Sequence, residues 1–176
     1  MMTKEELQQM QRYFTREKKV LTREELAEKL AARGDKKVVF TNGCFDVLHI
    51  GHLRCLQAAR SLGDMLVIGL NTDESVRALK GPSRPLNNQA SRAEMLSGFD
   101  CVDYVVLFGE ATASETIELL KPDVYCKGGD YDAEKIPETP IVRSYGGRVV
   151  IIPLEVTEAD DWSTTAIINK ARKGCG

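Results

Sequence analysis

Thr41-Asn42-Gly43-Cys44-Phe45-Asp46-Val47-Leu48-His49-Ile50-Gly51-His52 is the stretch whose reading decides the fold. Ahead of it, Lys36-Lys37-Val38-Val39-Phe40 carries the apolar run of a short buried strand. Behind it, the residues from Leu53 to Leu62 space their apolar side chains at helical intervals. The stretch is therefore a strand-to-helix turn. In an open parallel sheet such a turn lies at the carboxyl edge, where ligands bind. Gly43 and Gly51 remove two Cβ atoms, so backbone can come close to a ligand. A helix that begins near Gly51 points unpaired N–H groups and the positive end of its dipole at the same place, which suits phosphate. Both histidines of the 176-residue chain, His49 and His52, lie here.

Outward from this turn, strands are expected at 37–42, 65–71, 103–108, 123–127 and 148–153. Helices are expected at 51–62, 73–79, 89–98, 112–120 and 163–172. That alternation predicts an α/β fold, a doubly wound parallel sheet of five strands covered on both faces. Residues 1–35 read as a helical leader and 36–176 as the domain. Within the leader, Thr3-Lys4-Glu5-Glu6 and Thr22-Arg23-Glu24-Glu25 each have the form of a capping box. Narrow stripes at Leu7, Met10 and Phe14, then at Leu26 and Leu30, predict packing on the domain or on a neighbouring subunit.

Composition bounds the function classes. Apolar residues make up 43% of the chain, and the mean hydropathy is -0.25, values of a soluble globular chain. No apolar run is long enough to span a bilayer, and Met1-Met2-Thr3-Lys4-Glu5-Glu6 lacks the shape of a signal peptide. A net charge of -2 gives no electrostatic case for nucleic acid. The five cysteines are scattered and lack a C-x-x-C pair, which favours free thiols in a reducing cytoplasm.

Three further stretches carry candidate chemistry. Lys80-Gly81-Pro82-Ser83-Arg84-Pro85 cannot form regular structure, so it predicts a loop bearing two cations. Lys127-Gly128-Gly129-Asp130-Tyr131 ends a strand in a double-glycine turn, which permits close backbone approach or is simply a turn. Trp162-Ser163-Thr164-Thr165 puts three hydroxyl residues at a helix start, more than capping alone requires. With free N–H groups they predict a second phosphate cradle. Asp73 reads as a helix cap. Cys44, His49 and His52 as a zinc trio would lack a fourth ligand nearby, and the first turn lacks the G-x-G-x-x-G of a dinucleotide-binding dehydrogenase.

The G-x-F-D of Gly43–Asp46 and the H-x-G-H of His49–His52 resemble the signature of the cytidylyltransferase-like nucleotidyltransferases. The K-G-P-S-R-P, K-G-G-D-Y and S-T-T phrases narrow the resemblance to sugar-phosphate adenylyltransferases, of the ADP-heptose type. The resemblance covers residues 20–172. It implies a Rossmann-like fold and transfer of AMP from ATP to a sugar 1-phosphate with release of pyrophosphate. His49, His52 and Lys80 would be catalytic. Nucleotide contacts would come from Gly43, Cys44, Phe45 and Gly51, from Arg92, Lys127 and Gly128, and from Ser163, Thr164 and Thr165. Substrate contacts would come from Asn42, Asp46, Arg84, Gly129 and Asp130. Mg²⁺ would accompany ATP without a dedicated protein site, and a homodimer is implied. The segment from Val20 to Lys37 resembles the linker that follows a sugar kinase in two-domain members, which implies the stand-alone form here. The acidic run Glu155-Val156-Thr157-Glu158-Ala159-Asp160-Asp161 stands where many cytidylyltransferases carry an arginine. Rival readings are a CTP-, GTP- or flavin-mononucleotide-using enzyme of this fold, or a non-catalytic nucleotide-binding module.

Overall fold

A computed structural model describes residues 2–8, 18–153 and 163–173, apart from the Arg172 side chain. The strands are β1 (Val20–Leu21), β2 (Val38–Gly43), β3 (Met65–Asn71), β4 (Tyr104–Phe108), β5 (Val124–Gly128) and β6 (Arg148–Ile152). The helices are α1 (Arg23–Ala31), α2 (Ile50–Arg60), α3 (Asp73–Lys80), α4 (Gln89–Ser97), α5 (Ser114–Leu120), α6 (Thr139–Ser144) and α7 (Thr164–Lys173), with a 3₁₀ turn at Ala133–Lys135. All strand pairs are parallel, in the order β1-β4-β3-β2-β5-β6.

That order explains where a ligand can bind. From β2 the chain steps one way to β3 and β4, then returns to the other side of β2 for β5. The loops leaving β2 and β5 therefore part at their carboxyl ends, and a crevice opens between them. Both faces of the sheet are covered, so neighbouring residues of one strand enter opposite cores. Val38 and Phe40 pack with Leu26, Leu30, Phe108, Ile117 and Tyr125. Val39 packs on the other face with Leu56, Leu66, Ile68, Leu96 and Val105. Gly69 is needed where Phe40 crosses β3, because a Cβ there would stand 2.6 Å from the ring's Cζ.

The sheet has six strands, not the expected five. The sixth, Val20–Leu21, pairs with Val105–Val106 on β4 ahead of the expected boundary at residue 35. Two residues are too few to show a strand period in sequence. The helix after it forms as expected. Thr22 accepts from the Glu25 N–H at 3.1 Å, and the Glu25 carboxylate accepts from the Thr22 N–H at 2.8 Å. Its inward face buries Leu26 and Leu30 in the core, each worth about 2 kcal/mol. Thr3 and Glu6 make the same reciprocal pair at 2.7 and 3.2 Å. Leu7 is exposed, and Met10 and Phe14 of its expected stripe lie outside the described residues, as do Trp162 and the acidic run. Helix α6 was not among the expected helices. Pro140 falls in the first turn of α6, where a missing N–H costs nothing.

Candidate active site

The crevice between β2 and β5 is a cleft of about 910 Å³. It is lined by Asn42 to Asp46, His49, Gly51 and His52 from the first turn, and by Lys80 from the end of α3. Lys127, Gly128 and Asp130 follow β5, and Ser163, Thr164 and Thr165 open α7. Groups more than a hundred residues apart in the chain thus meet in one cavity.

The two imidazoles stack, with ring centroids 3.8 Å apart and planes at 29°. Phe45 meets His52 at 5.1 Å. Phe45 holds a left-handed backbone, φ 45°, rare for a residue with a bulky side chain. A Cβ on Gly43 would press that ring at 3.1 Å, so the glycine makes room for it. Nδ1 of each histidine is buried without a partner, which leaves Nε2 as the nitrogen each ring offers to the cleft. Burial lowers the pKa of His49. Burial lowers His52 further, to about 4, with help from the charges of His49 and Lys80. His52 is therefore neutral at pH 7, a state in which Nε2–H can donate.

Helix α7 faces these rings. Ser163 Oγ accepts from the Ala166 N–H at 3.0 Å, a cap. Thr164 Oγ1 donates to the Val47 carbonyl at 3.2 Å, tying the start of α7 to the first turn. One hydroxyl caps and a second ties two walls together.

The cations divide sharply. Arg92 is 2% exposed and absent from the cleft wall. Its guanidinium donates to the carbonyls of Asn87 at 3.0 Å, Cys44 at 2.6 Å and Asn71 at 2.8 Å, and to Asp73 Oδ1 at 2.8 Å. It staples the ends of β2 and β3 to the loop before α4, and the expected nucleotide contact is corrected to a positioning role. Arg84 also leaves the wall. It is ion-paired with Asp46 at 2.5 Å. Asp46 additionally accepts from the Leu86 and Asn87 N–H groups at 2.7 and 3.0 Å. Burial alone would raise the Asp46 pKa, but the bonds from Asn87, Arg84 and Leu86 prevail and hold it below the usual range. Asp46 thus anchors the 81–87 loop while still bordering the cleft, and Arg84, off the wall, is turned from the expected substrate contact to that pairing. Gly129 lies off the cleft wall in a turn at φ 123°, its N–H donating to Ile152. Asp73 is not the cap of α3: Thr72 is, and Asp73 pairs with Arg92.

Sequence reading missed Thr112, Tyr125 and Glu138. Glu138, 3% exposed, lines the cleft just before α6, and its Oε1 accepts from the Ala113 N–H at 3.0 Å. Tyr125 donates from its hydroxyl to Asn42 Oδ1 at 2.8 Å. Tyr125 looked like core because it sits within an apolar strand, and Glu138 lies between two prolines with no motif around it. Among the described residues, no group of three or more His, Cys, Asp and Glu could hold a metal ion. Among them, too, no helix is long and apolar enough to cross a membrane.

The cytidylyltransferase-like family model matches residues 40–170. The chain belongs to that family. Cytidylyltransferase-like relatives at high identity include the bifunctional protein HldE of Geobacter metallireducens, 55% identical over 82% of this chain and 29% of its own length. HldE of Syntrophotalea carbinolica is 52% identical over 86% of this chain and 31% of its own. The chain thus spans under a third of the length of these curated relatives. Among solved structures, a lipopolysaccharide core biosynthesis protein from Thermoplasma volcanium superposes with a TM-score of 0.58 at 27% identity, over 70% of this chain and 99% of that one. A pantoate-beta-alanine ligase from Francisella tularensis, with bound ATP analogue and beta-alanine, superposes with a TM-score of 0.53 at 11% identity, over 87% of this chain and 76% of that one. At that identity the likeness is one of fold.

Proposed function

We propose that this cytidylyltransferase-like protein transfers AMP from ATP to a sugar 1-phosphate, a heptose 1-phosphate, giving ADP-sugar and pyrophosphate for surface glycan synthesis. The observation that carries the reading is the convergence of His49 and His52 with Ser163–Thr165 on one cleft, with Lys80 and Lys127 on its walls. The names of the relatives, HldE and a lipopolysaccharide core biosynthesis protein, support the sugar class.

The triphosphate lies between the two helix starts. Its α-phosphate meets the Nε2–H groups of His49 and His52, and its outer phosphates meet the N–H groups and hydroxyls that open α7. An oxygen of the sugar phosphate attacks the α-phosphorus, a new P–O bond forms, and the bond to the bridging oxygen breaks with its electrons going to pyrophosphate. The nucleophile is already ionised, so the protein's task is positioning and charge stabilisation. Lys80, at the mouth, neutralises the departing pyrophosphate. Mg²⁺ would arrive with the nucleotide rather than sit in a protein site of its own, because among the described residues no carboxylate cluster could hold it. When bound it would draw charge from the phosphate oxygens. The four described cysteines are free, consistent with a reducing cytoplasm. A homodimer remains part of the proposal through the leader residues.

The test is pyrophosphate release from ATP, CTP and GTP against heptose 1-phosphate, other sugar 1-phosphates and flavin mononucleotide. ATP with heptose 1-phosphate is expected to be fastest. Binding of ATP without turnover of any acceptor would favour the non-catalytic reading. His52→Ala should cut kcat about 10²–10³-fold, as loss of one preorganised donor does, with little change in the KM for ATP.

A further inference from the structure

Opposite the histidines the cleft has a second polar wall that the transfer step leaves unexplained. It is built from three elements distant in sequence: Asn42 at the end of β2, Lys127 on β5, and Glu138 at the entrance to α6, with the buried Tyr125 of β5 behind them. Glu138 is the keystone of this wall. Its side chain is almost wholly enclosed, yet it borders the cleft. A buried carboxylate without cationic contact is costly, and none of the ion pairs among the described residues includes it. One oxygen is held by the Ala113 N–H at 3.0 Å, which fastens the loop after β4 to the start of α6. The remaining charge is felt by the Tyr125 hydroxyl and by Lys127. Tyr125 donates to Asn42 Oδ1 at 2.8 Å. Lys127 carries its ammonium 5.8 Å from the centroid of the Tyr125 ring.

A structural anchor needs only the Ala113 bond, which a neutral Gln would make equally well. The negative charge needs another reason. We infer that Glu138 is a positioning residue for the acceptor: sharing the cleft wall with Asn42 and Lys127, it orders Asn42, by way of the Tyr125 hydroxyl, and Lys127 toward the acceptor's phosphate. This rests on the transfer reading above and deepens it by naming the wall that selects the phosphorylated acceptor. The titratable groups whose charge acts on Lys127 are Glu138 at the start of α6, Cys44 from the turn after β2, and Cys126 on its own strand. Burial lowers the pKa of Lys127, and the Glu138 charge opposes that fall. Removing the charge therefore moves loss of the ammonium to lower pH.

The experiment compares Glu138→Gln with the native protein. Expected are a rise of about tenfold or more in the KM for the sugar phosphate, a KM for ATP changed less than twofold, and a basic limb of the kcat/KM profile displaced to lower pH. Equal KM values and superimposed pH profiles would overturn the inference. Glu138→Asp, which keeps the charge, should keep the native basic limb; if it shifts as Glu138→Gln does, the charge is not the cause. If Glu138→Gln does not fold, Tyr125→Phe takes its place, with a raised KM for the acceptor alone as the supporting result and unchanged kinetics as the contrary one. A readout free of turnover separates this inference from the function. The Lys127 ammonium, followed by NMR after isotopic labelling in the free protein, should titrate at lower pH in Glu138→Gln. That shift in a protein that turns over no acceptor would overturn the transfer reading and leave the placement of Lys127 standing, and its absence would overturn the placement.

Discussion

Two pairs of cations stand at the carboxyl edge of the sheet and meet opposite fates. Arg84 and Arg92 turn inward, with side chains 14% and 1% exposed, and bond to the protein itself. Lys80 and Lys127 line the cleft and, among the described residues, take no carboxylate as an ion-pair partner. The difference follows from the shape of each head group. A guanidinium is a planar fork with five donors, so one Arg92 can satisfy three carbonyls and a carboxylate belonging to separate loops. An ammonium is a compact charge on a flexible stem, suited to following a phosphate that moves as it reacts. Architecture at the switch point is therefore an arginine task, and contact with the reacting groups a lysine task.

The comparison breaks most sharply at Lys80. Lys80→Met is expected to lower kcat about 10²-fold or more, as for other preorganised charges, while the melting temperature stays within about 2 °C of native because this residue is exposed and, among the described residues, forms no ion pair. Calorimetry beside the pyrophosphate assay checks both halves. If stability falls with activity, the division between the two pairs is false. Arg92→Met should behave the other way. It leaves buried carbonyls of Cys44 and Asn71 unpaired, a loss of about 3 kcal/mol, seen in urea unfolding as a lower midpoint with the same slope. Arg84→Met removes a single ion pair from a less enclosed arginine and should cost about 2 kcal/mol.

Much of this was legible in the chain. Every helix and strand expected after residue 36 is present, because glycines, prolines and cap residues bracket strongly periodic runs. The H-x-G-H turn and the hydroxyl trio were rightly read as walls of one cavity. Sequence could not tell Arg84 from Lys80, since both stand in one phrase read as a loop; the fold makes Lys80 the last residue of α3 and brings Asp46 within reach of the arginine. Arg92 was placed on the correct helix but not on its buried face, for a charged residue inside a core is recognised only by partners that come from three other loops. Glu138 and Tyr125 are invisible for the same reason: the bonds that place them, with the Ala113 N–H and Asn42 Oδ1, come from other elements of the chain.

A smaller effect sharpens the contrast between buried and open groups. His52 titrates near 4 in the folded protein against 6.5 ordinarily. As pH falls below 6.5 the unfolded chain takes up a proton that the folded chain refuses, so stability present above 6.5 is lost progressively toward pH 4. Urea midpoints measured over that range should decline less steeply in His52→Gln. ATP places negative charge beside the ring, raises its pKa and should be bound with proton uptake near pH 5.5, measurable by titration calorimetry in buffers of different ionisation enthalpy.

The central claim is that two imidazoles and three hydroxyls, brought together only by the fold, grip a single triphosphate. A crystal structure with a non-hydrolysable ATP analogue tests it most directly. The account predicts the α-phosphate within hydrogen-bond distance of His49 and His52 Nε2, with the outer phosphates at the start of α7. A triphosphate seated elsewhere, with either helix start empty, would contradict it.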